Sequence, residues 1–211
     1  MNSRLELLRV YPVTDRKLSG LSHAEQVRRL AAAGATLIQL REKHLPAGEF
    51  YAEAVKAVAA ARAAGVILLI NDRVDIAKMT GADGVHLGQD DLPPTSAREL
   101  LGPKAIIGLS THSLAEAIAA AGEPVDYIAF GPIFPTDTKP DTEPVVGLER
   151  LAEIRNAFPN IPLVAIGGIN AENISAVIEA GADSAAVISS AVAGGENIAK
   201  NLALLNTAAN G

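Results

Sequence analysis

The sequence predicts a single (β/α)8 TIM barrel, an α/β domain spanning residues 1–211. Three observations predict it. Eight short apolar runs follow one another along the chain, each the length of a buried strand. Between them lie Ala-rich stretches whose apolar residues recur at helical spacing. One joint recurs where these stretches end: helix end, glycine, short step into a strand, which is an internal repeat of a βα unit. The rival architecture, a doubly wound open sheet, would carry a Gly-rich turn after its first strand. Here that strand runs into Val13-Thr14-Asp15-Arg16 instead.

The predicted strands are Leu8–Val13, Leu37–Leu40, Val66–Ile70, Gly84–Leu87, Ala105–Leu109, Val125–Phe130, Ile161–Ile166 and Ser184–Ile188. Most are continuously apolar, as parallel strands covered on both faces should be. In the first helical stretch Ala24, Val27, Leu30 and Ala31 share a face. Tyr51, Ala54, Val55, Val58 and Ala59 do so in the second, and Ile174, Val177 and Ile178 in the seventh. Gly34, Gly65, Gly81, Gly122 and Gly181 stand at the joints, where a left-handed glycine would end each helix.

Composition narrows the function. An apolar fraction of 49% and a charged fraction of 20% describe a folded globular chain. With four Phe and three Tyr against 39 Ala and 18 Gly, the core must come from closely packed Val, Ile, Leu and Ala. The net charge of −6, with no Lys/Arg cluster, argues against a nucleic-acid partner. Cysteine is absent, which excludes disulfides, thiolate metal sites and cysteine nucleophiles. No apolar stretch reaches membrane-spanning length, and Met1–Val10 lacks a signal-peptide apolar region, so the expected location is the cytoplasm.

A barrel carries its chemistry at the C-terminal ends of its strands, and there the polar residues gather. Gln39, Arg41 and Lys43 alternate along an extended segment and point one way; a guanidinium and an ammonium together suit a phosphate. The Arg41-Glu42-Lys43 run would equally suit a solvated surface. Asp72 and Asp91 follow neighbouring strands and, with Asn71 nearby, suit Mg²⁺ shared with substrate phosphate. Singly, Asp72 also suits a helix N-cap and Asp91 an ordinary loop acid ahead of Pro93. Gly167-Gly168 and Ser189-Ser190 follow the last two strands, where barrels often bind a phosphate through backbone N–H groups; the glycine pair also suits a tight packing turn. His86 reads as a buried, hydrogen-bonded histidine, His112 as a candidate proton shuttle, and His23 and His44 as surface residues. Ser110 shows neither a Ser-His-Asp partner pattern nor a nucleophile elbow. These sites suit an enzyme that joins two phosphorylated fragments or isomerises one.

Six segments in order resemble the thiamine phosphate synthase family, from Tyr11 to about Ala191. They are Gln39-Leu-Arg-Glu-Lys43, Ile70-Asn-Asp-Arg73, Gly84-Val-His-Leu-Gly-Gln-Asp-Asp91, Gly108-Leu-Ser-Thr-His112, Gly131-Pro-Ile-Phe-Pro-Thr-Asp-Thr-Lys139 and Ala165-Ile-Gly-Gly-Ile169. The resemblance implies a (β/α)8 barrel and a transferase of thiamine biosynthesis. That enzyme couples hydroxymethylpyrimidine diphosphate to a thiazole phosphate, with or without a carboxylate, and releases pyrophosphate through a pyrimidine cation. It implies that Gln39, Arg41, Lys43, Asn71, Ser110 and Lys139 bind the diphosphate substrate, with Lys139, Ser110, Arg41 and Lys43 catalytic. It assigns Asp72 and Asp91 to Mg²⁺, and Thr136, Thr138, Gly167, Gly168, Ile188 and Ser189 to the thiazole phosphate. Asp137 departs from the family pattern, in a loop, 135–146, expected to act as a lid. The partners so implied are the two small molecules, with a homodimer as an open expectation. The alternatives are a thiazole tautomerase of the same barrel, which would work through His112, and a non-catalytic phosphate-ligand sensor.

Overall fold

The computed structural model describes residues 5, 7–136, 138 and 144–211. Eight strands, β1 (Val10–Thr14), β2 (Leu37–Leu40), β3 (Ile67–Asn71), β4 (Gly84–Leu87), β5 (Ile106–Thr111), β6 (Tyr127–Phe130), β7 (Leu163–Ala165) and β8 (Ser184–Val187), pair in parallel in chain order. β8 returns to β1 through Tyr11↔Ala186 and closes the barrel. Each strand overlaps its apolar run. β3 and β5 continue past theirs, into Asn71 and into Ser110 and Thr111, because the apolar signal stops where a strand enters the polar mouth.

Ten α-helices surround the barrel among the described residues. They are α1 (Arg16–Ser19), α2 (His23–Ala32), α3 (Ala47–Ala64), α4 (Val74–Thr80), α5 (Pro94–Leu101), α6 (Leu114–Ala121), α7 (Gly147–Ala157), α8 (Ile174–Glu179), α9 (Ser189–Val192) and α10 (Ile198–Asn210). The eightfold alternation therefore carries two additions, the single turns α1 after β1 and α9 after β8. Two expectations need correcting. The buried face of α3 is Phe50, Ala54, Ala57, Val58, Ala60 and Ala61, while Val55 and Ala59 are exposed: in a helix this rich in alanine, spacing alone does not set the phase. Gly122 ends α6 in the right-handed region (φ −87°), whereas Gly34, Gly65, Gly81 and Gly181 do have positive φ.

Two apolar cores result. The larger lies between strands and helices; the smaller fills the barrel with Tyr11, Leu37, Leu69, Ile106, Tyr127, Ala129 and Val164. Two tyrosines inside one narrow barrel require space from a neighbour. Gly108 supplies it: a Cβ there would lie 2.0 Å from Tyr127 Cζ. The N-terminal rim is pinned by a repeated device. Asp83, Asp126 and Asp183 precede β4, β6 and β8, and each accepts a hydrogen bond from the neighbouring odd-numbered strand, at Leu68 N (3.0 Å), Ile107 N (2.9 Å) and Leu163 N (2.8 Å). Arg98 of α5 and Arg155 of α7 pair with the second and third of these carboxylates.

Candidate active site

Side chains on one face of a strand recur every second residue, so three strands that floor the barrel with an apolar residue reach the mouth with polar ones. Leu37 leads to Gln39 and Arg41, Leu69 to Asn71, and Ile106 past Gly108 to Ser110. His86 joins this layer from β4, in register with Asn71 and Gly108. All five polar residues are buried.

A continuous hydrogen-bonded chain crosses the barrel beneath the mouth. Gln39 Nε2 donates to Tyr11 Oη (3.1 Å), Tyr11 Oη meets Tyr127 Oη (3.2 Å), Tyr127 Oη meets His86 Nδ1 (2.8 Å) and His86 Nε2 meets Ser110 Oγ (2.8 Å). Burial, opposed by the hydrogen bonds that link it to Tyr127 and Gln39, pushes the Tyr11 hydroxyl up to about 12. Burial likewise raises Tyr127 well above the ordinary tyrosine value, so both hydroxyls stay protonated. The Gln39 amide nitrogen only donates, and the direction that leaves no hydroxyl hydrogen unpaired inside the barrel runs from Gln39 to Ser110. Each hydroxyl accepts from one neighbour and donates to the next, which leaves the Ser110 hydrogen for an acceptor in the mouth. The sequence showed no histidine partner for Ser110; the structure supplies His86. The other ring nitrogen of His86 meets a phenol, so the arrangement differs from a Ser-His-Asp triad. His86 is buried and hydrogen-bonded as expected.

Arg41 and Lys43 are each held by a carboxylate. Arg41 Nη1 lies 2.9 Å from Asp15 Oδ2, and Lys43 Nζ contacts Asp72 Oδ2. Arg41 is therefore a buried, oriented cation, and only Lys43 fits the surface alternative. Asp72 is the one non-glycine with positive φ (61°) among the described residues; it precedes α4 without capping it, since Arg73 holds the N-cap position. Asp91 Oδ2 accepts from Gly88 N (2.7 Å). Its carboxyl is raised, first by burial and then by the facing Asp72 carboxylate, against the hydrogen bond from Gly88. Two of the mouth's buried donors, Arg41 Nε and Asn71 Nδ2, lack a protein partner. Unsatisfied buried donors are rare and costly, and these two suit an anionic acceptor.

Across the mouth, Gly167 and Gly168 follow β7 with φ of 90° and 66°. A Cβ on Gly168 would lie 2.5 Å from Pro135 O, and Phe134 N donates to Gly167 O (3.1 Å), so the pair seats the loop after β6. Packing thus accounts for the glycines and also brings them beside the segment that carries Thr136 and Thr138, where Thr138 N donates to Thr136 Oγ1 (3.3 Å). Ile188 and Ser189 stand at the start of α9, and Ser190 Oγ donates to Ile169 O (2.8 Å). Asp137, Lys139 and residues 140–143 lie outside the described residues, so the readings made for them and for the lid rest on the sequence. His112 Nδ1 is 2.6 Å from Gly131 O, which fixes its ring at the β5 end. His44 is exposed, but the surface reading of His23 is corrected: its ring is fully buried between Thr14 and Glu42. Tyr11 and Tyr127 went unnoticed as site residues because they looked like core, and Asp15, which follows the first strand, was given no role. The signal for the tyrosines is a hydroxyl at strand positions on the barrel-facing side.

The fold and these residues have relatives. Residues 10–191 match the family model described as thiamine monophosphate synthase. The chain is 48% identical over 186 residues to the thiamine-phosphate synthase of Chloroflexus aurantiacus, covering 88% of this chain and 85% of that protein. It is 51% identical over 181 residues to the enzyme of the same name from Syntrophomonas wolfei, covering 85% and 86%. Among solved structures it is similar to a thiamine phosphate pyrophosphorylase from Pyrococcus furiosus, with a TM-score of 0.84, 40% identity and 96% of both chains covered. A 3-hexulose-6-phosphate synthase, 18% identical with a TM-score of 0.62, shares the fold alone. Matched along most of its length in sequence and in fold, this chain belongs to the thiamine monophosphate synthase family.

Proposed function

We propose that this transferase of thiamine biosynthesis condenses hydroxymethylpyrimidine diphosphate with a thiazole phosphate at the mouth of the barrel, giving thiamine phosphate and pyrophosphate. The single observation that carries this reading is the donor set on one side of the mouth. Arg41 Nε and Asn71 Nδ2 are buried without partners, and Lys43 lies beside the Asp72 and Asp91 carboxylates. Arg41, Lys43, Asn71 and Ser110 would hold the diphosphate, and Gln39 the pyrimidine end; Lys139 joins them on sequence grounds. Thr136, Thr138, Gly167, Gly168, Ile188 and Ser189 would hold the thiazole phosphate on the opposite side.

Asp72 and Asp91 fit Mg²⁺ chemically: two facing carboxylates, one of them raised by burial and by the other's charge, gain from a cation between them. No group of three or more His, Asp or Glu that could hold a metal gathers among the described residues, so two carboxylates would need phosphate oxygens to complete a magnesium shell. Bound there, Mg²⁺ would neutralise charge on the diphosphate.

In the proposed reaction the bond from the pyrimidine methylene to the diphosphate oxygen breaks and its electron pair leaves with pyrophosphate. The thiazole nitrogen then gives its lone pair to the methylene carbon. Charge builds on the departing oxygens, where Arg41, Lys43 and the Ser110 hydroxyl stabilise it, and the chain behind Ser110 keeps that hydrogen aimed at the mouth. The test is thiamine phosphate formation from the two substrates, with Mg²⁺ and with excess chelator. Formation with Mg²⁺ that stops in chelator is expected; full activity in chelator would overturn the metal assignment, and no product would overturn the substrate pair.

A further inference from the structure

α2 opens with His23, whose imidazole is fully buried although it belongs to none of the strand ends. Nδ1 lies 2.8 Å from Thr14 Oγ1, at the end of β1, and Nε2 lies 3.2 Å from Glu42 Oε2, in the loop after β2. Glu42 is the residue between Arg41 and Lys43. Its other oxygen accepts from His44 N (2.7 Å) and Leu45 N (3.2 Å), so one carboxylate gathers the whole turn. Thr14 Oγ1 in turn accepts from Arg41 N (3.3 Å).

Valence sets the directions. An ionised Glu42 has no hydrogen to give, so His23 Nε2 donates to it. A neutral imidazole then has a bare Nδ1, which accepts the Thr14 hydroxyl hydrogen and leaves a Thr14 lone pair for the Arg41 amide. Every group in the chain is satisfied with His23 uncharged. The result is a clasp from α2 that holds the backbone at Arg41, His44 and Leu45, on both sides of Lys43.

We propose that His23 is a positioning residue for the diphosphate site: through Thr14 and Glu42 it holds the segment that carries Arg41 and Lys43 in its binding geometry before substrate arrives. The inference rests on the reading that Arg41 and Lys43 engage the diphosphate. Ordering that loop in advance lowers the entropy lost on binding, and it acts on one substrate only.

The test is steady-state kinetics on wild type, His23→Leu, His23→Gln and Thr14→Val, with each substrate varied in turn. His23→Leu and Thr14→Val are expected to raise KM for hydroxymethylpyrimidine diphosphate about tenfold, the size of one lost buried hydrogen bond to a charged network. KM for the thiazole phosphate should be unchanged in both. His23→Gln, whose amide keeps a donor for Glu42, should recover most of the loss. A lowered Tm with both KM values unchanged, or equal rises in both, would overturn the proposal and leave His23 a packing residue. If His23→Leu does not fold, Thr14→Val decides, because it keeps the shape and removes only the hydroxyl; an unshifted diphosphate KM there overturns the proposal. Wild-type turnover is a separate readout: its absence would overturn the reading of the site, and this inference with it, whereas normal wild-type turnover with unshifted variants would overturn only the role of His23.

Discussion

At Asp91, burial and the facing Asp72 carboxylate act in the same direction, and both disfavour a second negative charge beside Asp72. Asp91→Asn removes that repulsion and can still accept from Gly88 N. It should therefore melt no lower than wild type in chelator, while its Mg²⁺ requirement rises and its turnover falls. Asp72→Asn should shift the Mg²⁺ titration in the same way. Three superimposable titrations, or an Asp91→Asn protein that melts well below wild type, would contradict the pairing. His23 makes a pH prediction. Burial, outweighing the nearby Glu42, lowers its folded-state value below the usual 6.5. Between 6.5 and that lower value the unfolded chain binds a proton that the folded chain does not, so stability falls as the pH falls. Urea unfolding at about pH 7.5 and pH 5.5 should show a larger acid loss for wild type than for His23→Leu, within the roughly one-unit spread of folded histidines. Parallel losses would show that His23 protonates as easily folded as unfolded.

The elements are joined differently at their two ends. At the mouth they end in side chains that await an acceptor; at the opposite rim they end in carboxylates that are already satisfied. Asp126 is buried, caps Ile107 N and pairs with Arg98, whose side chain is 21% exposed. Asp183 makes the same contacts to Leu163 N and Arg155, but its side chain is 47% exposed. Removing one partner of a buried pair costs about 3–5 kcal/mol, whereas an exposed pair contributes roughly 1 kcal/mol or less. Asp126→Ala should therefore destabilise by about 3 kcal/mol, with Asp183→Ala costing clearly less. Neither should change KM for either substrate at a temperature where the protein stays folded. Denaturant titration gives the stabilities, and equal losses would mean that exposure does not set the contribution of this rim.

The whole barrel should respond to product as one unit. A ligand that binds only the folded state stabilises by mass action, by about 2.7 kcal/mol at a hundred times its Kd. For a chain of this length that corresponds to roughly 5–10 °C in Tm. Because two carboxylates alone hold Mg²⁺ weakly, pyrophosphate and Mg²⁺ together should raise Tm far more than the sum of their separate effects. Thermal melts of the wild-type chain with each alone and with both provide the measurement. Additive shifts would mean that metal and phosphate bind at separate places.

The eight strands, their order and the polar end of the barrel were legible in the sequence, because a buried parallel strand must be an apolar run and a mouth residue must break that run. Arg41, Asn71, Asp72, Asp91 and Ser110 could be named as site residues from their place after such runs. Their partners could not. Asp15 beside Arg41, His86 beside Ser110 and His23 beside Glu42 join residues from neighbouring βα units, and only the pairing of those strands in register sets these distances. Tyr11 and Tyr127 lie 116 positions apart, and their hydroxyls meet at 3.2 Å because β1 and β6 face each other across a barrel that Gly108 keeps open. Local periodicity records which side of a strand a residue takes. What stands opposite it depends on how many strands close the sheet and in what register, and that is decided only when the last strand pairs with the first.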